Sequence, residues 1–132
     1  MSAEVKLIGI AVVEHDDHFL IGTRGSNGPL AGYAEFPGGK CEPGEPVEVC
    51  AVRECLEETG LEVDVVRLLL RREFVYPHAT VDLHFLMCRP SSTELVKEEH
   101  LGFRWVAREK LVGLDFPEAN EPLIRMLTQV EK

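Results

Sequence analysis

Glu54, Glu57 and Glu58 crowd into one short stretch of chain. If that stretch is helical, spacings of three and four put the carboxylates on one face, about one turn apart. Like charges that close destabilise an isolated helix, and a hard cation taking oxygen ligands reverses the penalty. Glu45 adds a fourth carboxylate just upstream, and Arg53 can pair with its neighbours and orient them. An acidic helix face alone is ordinarily a solvated surface. Here it follows Gly38-Gly39-Lys40, a loop able to bring the Gly38 carbonyl to the same ion. The 132-residue chain carries a formal net charge of −9, which repels polyphosphates and nucleic-acid backbones. An anionic substrate therefore needs a bridging cation, and clustered carboxylates holding Mg2+ supply one.

These groups need elements to hold them. Val5 to Val13 is apolar and β-branched and reads as a buried strand, Glu14 to Asp17 as a polar turn, and Phe19 to Thr23 as the returning strand. Arg24 to Ala34 reads as a loop. Phe36-Pro37-Gly38-Gly39 reads as a sharp turn, with two glycines granting backbone freedom. Glu45 to Thr59 is the best helix, with Pro46 in its first turn and Gly60 just past its end. Val49, Val52 and Leu56 form its apolar stripe, opposite the glutamates. Leu61–Leu70, Val81–Cys88 and Gly102–Ala107 read as strands. A closing helix over Glu121–Val130 buries Leu123, Ile124, Leu127 and Val130. This order predicts a mixed α/β or α+β architecture.

The length suits one domain over residues 1–132. At 45% apolar and 28% charged, the composition is that of a soluble globular protein. Its apolar runs fall far short of the roughly 20 residues a membrane helix needs, and the N-terminus has no secretory pattern. Cys41, Cys50, Cys55 and Cys88 form no C-x-x-C pair, which argues against zinc. Scattered among apolar residues, they suit reduced, packed thiols in a cytoplasmic protein. No basic patch with interleaved aromatics points to a nucleic-acid polymer as partner.

The run Gly39-x5-Glu45-x7-Arg53-Glu54-Cys55-x-Glu57-Glu58-x-Gly60-Leu61 resembles the Nudix box, G-x5-E-x7-R-E-U-x-E-E-x-G-U, where U is bulky and aliphatic. Cys55 at the first U position is the one departure, a small apolar substitute. The resemblance implies an α/β/α sandwich, a mixed sheet between helices, with residues 39–61 forming loop, helix and loop. It implies hydrolysis of a nucleoside diphosphate linked to another moiety, using Mg2+ or Mn2+. It also implies that Glu54, Glu57 and Glu58, with the Gly38 carbonyl, hold the metal, and that Arg53 supports them. Two carboxylates compete as general base: Glu54, and Glu99 upstream of Trp105, where relatives commonly carry a functional glutamate that also reaches the metal. Glu99 read without the family is a solvated loop charge.

Outside the box, Ala34 to Lys40 and the tail Leu114-Asp115-Phe116-Pro117-Glu118-Ala119-Asn120 are similar to the MutT branch, which removes oxidised guanine nucleotides such as 8-oxo-dGTP. In that branch the tail asparagine pairs with the guanine edge, and an amide offers both donor and acceptor for it. The matching residue is Asn120, which can equally be a helix cap before Glu121-Pro122. Arg24 and Phe36 match substrate-contacting positions; they read otherwise as a surface charge and a core ring. The loop Tyr76-Pro77-His78-Ala79 stands where relatives line the base site, and the bacterial type member has an acidic residue in place of His78. The alternatives are a cytidine or broader pyrimidine triphosphate pyrophosphohydrolase, for which an aspartate in the tail would speak, and a non-catalytic ligand sensor, which would have lost box glutamates.

Overall fold

Consecutive apolar residues in a strand imply burial on both sheet faces. The computed structural model, which describes residues 5–25, 30–77 and 79–129, shows this in its first strand, β1 (Val5–His15). Ala11, Val12 and Val13 are all fully buried. Successive side chains point to opposite faces, so Ala11 and Val13 join one core cluster and Val12 joins the other. The chain continues through β2 (His18–Thr23), β3 (Ala34–Glu35), β4 (Gly38–Lys40), α1 (Val47–Thr59), β5 (Val63–Tyr76), β6 (Ala79–Pro90), β7 (Glu99–His100), β8 (Phe103–Ala107) and α2 (Glu121–Thr128). The main sheet runs β5-β6-β1-β2-β8-β7. β1 and β6 are parallel, from Val5 opposite Thr80 to Val13 opposite Cys88, and the other pairings are antiparallel. A mixed sheet between helices is thus the observed architecture. α1 covers the Ala11, Val13, Leu20 and Leu86 face, and α2 covers the Val12, Phe19, Phe85 and Leu111 face.

One edge of β1 is shared. Its C-terminal end pairs with β2 through Glu14 and His15, while Ile8, Gly9 and Ile10 pair with Lys40, Gly39 and Gly38 of β4. Between them the Ala11 N–H donates to the Pro37 carbonyl at 2.8 Å. The sheet therefore opens where β2 leaves β1, and the segment carrying Phe36 to Lys40 fills that opening.

Three expectations need correction. Gly38 and Gly39 form a strand rather than a turn, and neither has positive φ. Their missing side chains matter instead. A Cβ on Gly38 would lie 2.7 Å from the Gly9 carbonyl oxygen, and one on Gly39 would lie 2.5 Å from the Glu54 carboxylate carbon. The second correction concerns α1. Val49 and Leu56 are about half exposed, and the helix buries Cys50, Ala51, Cys55 and Thr59 instead. Small side chains let the helix axis approach the sheet: a Cβ on Gly9 would stand 2.8 Å from the Val47 carbonyl oxygen. Residues 51, 54, 55 and 58 then share one inward face at i, i+3, i+4 and i+7, so Glu54 and Glu58 lie beside the core rather than opposite it. The third is extent, since the strands expected over Leu61–Leu70 and Val81–Cys88 form the much longer β5–β6 hairpin.

The far end of α1 matches its sequence signal, whereas its start falls at Val47, two residues later than expected, with Pro46 in extended backbone as the cap rather than in the first turn. Gly60 closes α1 at φ 75°, its N–H on the Leu56 carbonyl at 2.9 Å. Buried Thr59 accepts from the Leu61 N–H at 3.0 Å and donates to the Cys55 carbonyl at 2.7 Å, leaving its hydroxyl satisfied. α2 ends at Thr128 and buries Leu123 and Leu127, with Ile124 partly covered; Val130 lies outside the described residues. All four cysteines are buried and unpaired. No described helix is long and apolar enough to cross a membrane.

Candidate active site

Arg53 organises the acidic helix. Its guanidinium grips Glu45 with Nε at 2.8 Å and Nη2 at 2.9 Å, and its Nη1 reaches Glu54 and Glu57, each at 3.1 Å. Nη2 also donates to the Lys40 carbonyl at 3.3 Å. A planar fork can serve several carboxylates at once in a way an ammonium cannot. The Arg53 hydrogen bond, before any other influence, holds the Glu45 carboxyl down at about 2. Glu57 stays largely exposed and turned outward, whereas Glu54 is mostly buried beneath Gly39.

Glu58 reaches the other way. Its Oε1 accepts the Gly38 N–H at 3.2 Å, so it is the amide of Gly38 that touches the helix. Burial, followed by repulsion from Glu54 and Glu35, pushes the Glu58 carboxyl up to about 7, against the lowering effect of that N–H. A folded-state value above the ordinary 4.5 means that the native protein keeps a proton which the unfolded chain releases. This contribution to stability is present below about 4.5 and is lost as pH rises through about 7. Chelator-treated protein should therefore lose melting temperature across that window, and Glu58→Gln should flatten the slope. Parallel slopes for parent and variant, followed by thermal denaturation, would contradict the assignment.

Glu58, Gly38, Gly39 and Lys40 line a cleft of about 570 Å³ together with Ile8, Ile10, Val81 and Leu83 of the sheet floor. The same cleft takes in Arg24, Phe36 and Asn120. Three residues picked from distant parts of the sequence thus meet the box at one place. Arg24 lies 3.5 Å from Glu35, and burial raises the Glu35 carboxyl although Arg24 opposes the shift. Phe36 stacks on Phe116 with ring centroids 5.3 Å apart and planes 18° apart. Asn120 sits at the start of α2 but makes no side-chain cap hydrogen bond, so the capping role weighed against recognition is not the one its side chain adopts.

Glu99 lies elsewhere: it is exposed on β7, at the sheet edge opposite Arg104 of β8. Its loop is braced. The Trp105 indole N–H donates to the Lys97 carbonyl at 2.9 Å, and buried His100 accepts the Lys97 N–H at 3.0 Å. His78 lies outside the described residues. Tyr76 and Ala79, which flank it and come from the loop expected to line the base site, do line the cleft, at the ends of β5 and β6, and Lys6, Glu35 and Lys40 join them. Lys6 sits on β1, whose pattern announces only core, and nothing in its local sequence marks the face it shows to the cleft.

Known proteins with this arrangement fit the geometry. The Nudix domain model matches residues 5–127. The chain is 33% identical to the 8-oxo-dGTP diphosphatase of Escherichia coli (strain K12), covering 93% of this chain and 95% of that protein. It is 29% identical to the CTP pyrophosphohydrolase of the same organism, over 86% and 84% of the two chains. The crystal structure of a MutT protein from Methanosarcina mazei Go1 superposes with a TM-score of 0.78, covering 96% of this chain and 95% of that one, and at 22% identity it speaks for the fold alone. With the box, the helix that carries it and the sheet beneath it all in place, this chain belongs to the Nudix family of hydrolases, which act on phosphoric anhydride bonds.

Proposed function

We propose that the protein, acting as a single Nudix domain, is a divalent-metal-dependent pyrophosphohydrolase of nucleoside triphosphates. It releases a monophosphate and pyrophosphate, and 8-oxo-dGTP or a close guanine relative is its preferred substrate. The observation that carries this reading is the shared cleft: Arg24, Phe36 and Asn120 line the same space as Gly38 and Glu58.

The residues present fit a hard cation. The donors are carboxylate and carbonyl oxygens, the choice of Mg2+ or Mn2+. Burial, with lesser repulsion from Glu54 and Glu35, holds the Glu58 carboxyl up so that a cation beside it would favour its charge, and the empty side of Gly39 leaves the Glu54 carboxylate room that a methyl would occupy. Glu54, Glu57 and Glu58, with the Gly38 carbonyl, would hold the ion. When bound, it neutralises phosphate oxygens and makes water a better nucleophile.

The chain's own groups do the rest. Arg53 fixes Glu54 and Glu57 in place, so little reorganisation is needed at the moment of reaction. Lys6 and Lys40 line the cleft and offset phosphate charge. Glu54, mostly buried and held by Arg53, is a better-placed proton acceptor from water than Glu99, which is exposed on its edge strand away from the cleft. Phe36, backed by Phe116, offers an aromatic wall to a base. Asn120 offers a donor and an acceptor to its edge.

A second reading, hydrolysis of CTP, is favoured by the 29% identity to a CTP pyrophosphohydrolase. Asn120 separates the two. An amide that pairs with the right base is left unsatisfied by the wrong one, at a cost of about 1–3 kcal/mol. Asn120→Ala should therefore reduce the kcat/KM ratio of 8-oxo-dGTP to CTP by roughly 10-fold or more, with the metal ligands untouched. An unchanged ratio would remove Asn120 from base selection, and a parent preferring CTP would replace the substrate assignment while keeping the reaction.

A further inference from the structure

Cys41, just after β4, and Cys50, in the first turn of α1, lie nine residues apart and meet in space across the connection between the two elements. Their sulfurs and a carboxylate oxygen of Glu45 all lie within 4.8 Å of one another. Cys41 and Cys50 are buried, and Glu45 is nearly so. The cluster shares no ligand with Glu54, Glu57 or Glu58: Cys50 packs beneath β4, its Sγ donating to the Gly39 carbonyl at 3.3 Å, while the Glu58 side of the loop faces the cleft.

The geometry points to Cys41, Cys50 and Glu45 as a second metal site, selective for a thiophilic divalent ion such as zinc and inhibitory when filled. In a tetrahedral site, sulfurs at about 2.3 Å and an oxygen at about 2.1 Å from the ion stand roughly 3.6–3.8 Å apart, so closing this cluster takes at most ~1 Å of side-chain movement per pair. Two sulfurs select against Mg2+ and for softer ions. Each thiol gives up its proton on binding, so two thiolates cancel the ion's charge and the filled site does not repel nearby Arg53. The fourth position is left to water.

Filling the site reaches the active centre through Glu45. Arg53 and the Glu42 N–H now engage both oxygens of Glu45, the latter at 3.0 Å. A ligated Glu45 gives up one of them, and the two-pronged Arg53 grip becomes a single contact at best. Arg53 then turns towards Glu42, 3.9 Å away, and its hold on Glu54 and Glu57 changes. A thiophilic ion would thus slow hydrolysis without competing for the catalytic metal's own ligands.

The test uses reduced, chelator-treated full-length protein in excess Mg2+, titrated anaerobically with Cd2+. Expected are about one equivalent of Cd2+ bound with an ultraviolet thiolate-to-metal charge-transfer band, release of about two protons, and a fall in turnover of 10-fold or more at the same equivalence point. Cys41→Ser and Cys50→Ser should each weaken Cd2+ binding about 10- to 100-fold, as loss of a ligand's support does, and keep Mg2+-supported turnover; Cys88→Ser should match the parent. A full band in Cys41→Ser, no band in the parent, or a Cys41–Cys50 disulfide in place of Cd2+ uptake overturns the site. Cd2+ uptake with unchanged turnover overturns the inhibitory link through Arg53. If Cys50→Ser does not fold, Cys41→Ser, at the edge of the cluster, carries the test alone. A parent inactive on nucleotides would overturn the proposed function, whereas the band reports on this site regardless.

Discussion

Glu58→Gln should lower kcat/KM for the nucleotide substrate by about 10² or more, as loss of a metal-ligand charge does, while making the metal-free protein more stable near neutral pH. The two effects have one cause. Glu58 is half buried beside Glu54 and Glu35, and its carboxyl is pushed up to about 7, mostly by that burial. Without a cation its charge is a burden, and glutamine removes the charge with little change of shape. The side-chain oxygen that accepts the Gly38 N–H at 3.2 Å is retained. Steady-state kinetics with excess Mg2+ and thermal denaturation in chelator test both halves. Loss of stability together with loss of activity would make Glu58 a structural residue. Near-parent turnover would remove it from the metal site.

Arg53→Ala should cost turnover about as much, roughly 10², although Arg53 need not touch substrate. Four carboxylate contacts converge on its guanidinium, two from Glu45 and one each from Glu54 and Glu57. Removing it frees three acidic side chains to repel one another, and a misplacement of about 1 Å in a reacting constellation can cost on the order of 10² in rate. Excess metal should recover part of the loss, because a cation can gather the carboxylates that Arg53 no longer holds. Arg53→Lys should recover little, since an ammonium keeps the charge but lacks the rigid fork. The measurement is kcat/KM against Mg2+ concentration for the three proteins. A lysine variant indistinguishable from the parent would show that charge alone suffices and that the fork geometry is irrelevant.

The box was legible because its residues serve several local needs in one continuous stretch. Gly60 sits where a left-handed residue must end the helix, and Glu45 stands two residues before α1 to receive Arg53 two turns later. The strand order was not legible, since the pairing of β1 with β6 joins residues some seventy-five apart and depends on which edges remain open once the β5–β6 hairpin has formed. The buried face of α1 was misread for a physical reason. The largest aliphatic side chains, Val49 and Leu56, marked the apolar stripe, but contact as close as that at Gly9 admits only Cys50, Ala51 and Cys55. The same misreading placed Glu54 and Glu58 opposite the core when they flank it. Arg24, Phe36 and Asn120 were found through likeness to relatives. Lys6, equally part of the cleft, carries no such mark and emerges only when the sheet is assembled. The encounter of Cys41 with Cys50 depends on the β4-to-α1 turn folding back, which no short-spacing motif announces.

The acidic helix and the cleft beside it should cleave a nucleoside triphosphate between its α- and β-phosphates with a divalent ion. The most direct test is to incubate the reduced protein with 8-oxo-dGTP or dGTP, with Mg2+ or with excess chelator, and to identify every phosphorus-containing product by 31P NMR. Equal amounts of nucleoside monophosphate and pyrophosphate are expected with Mg2+, and no products with chelator. Nucleoside diphosphate with inorganic phosphate, or undiminished turnover in chelator, would contradict this.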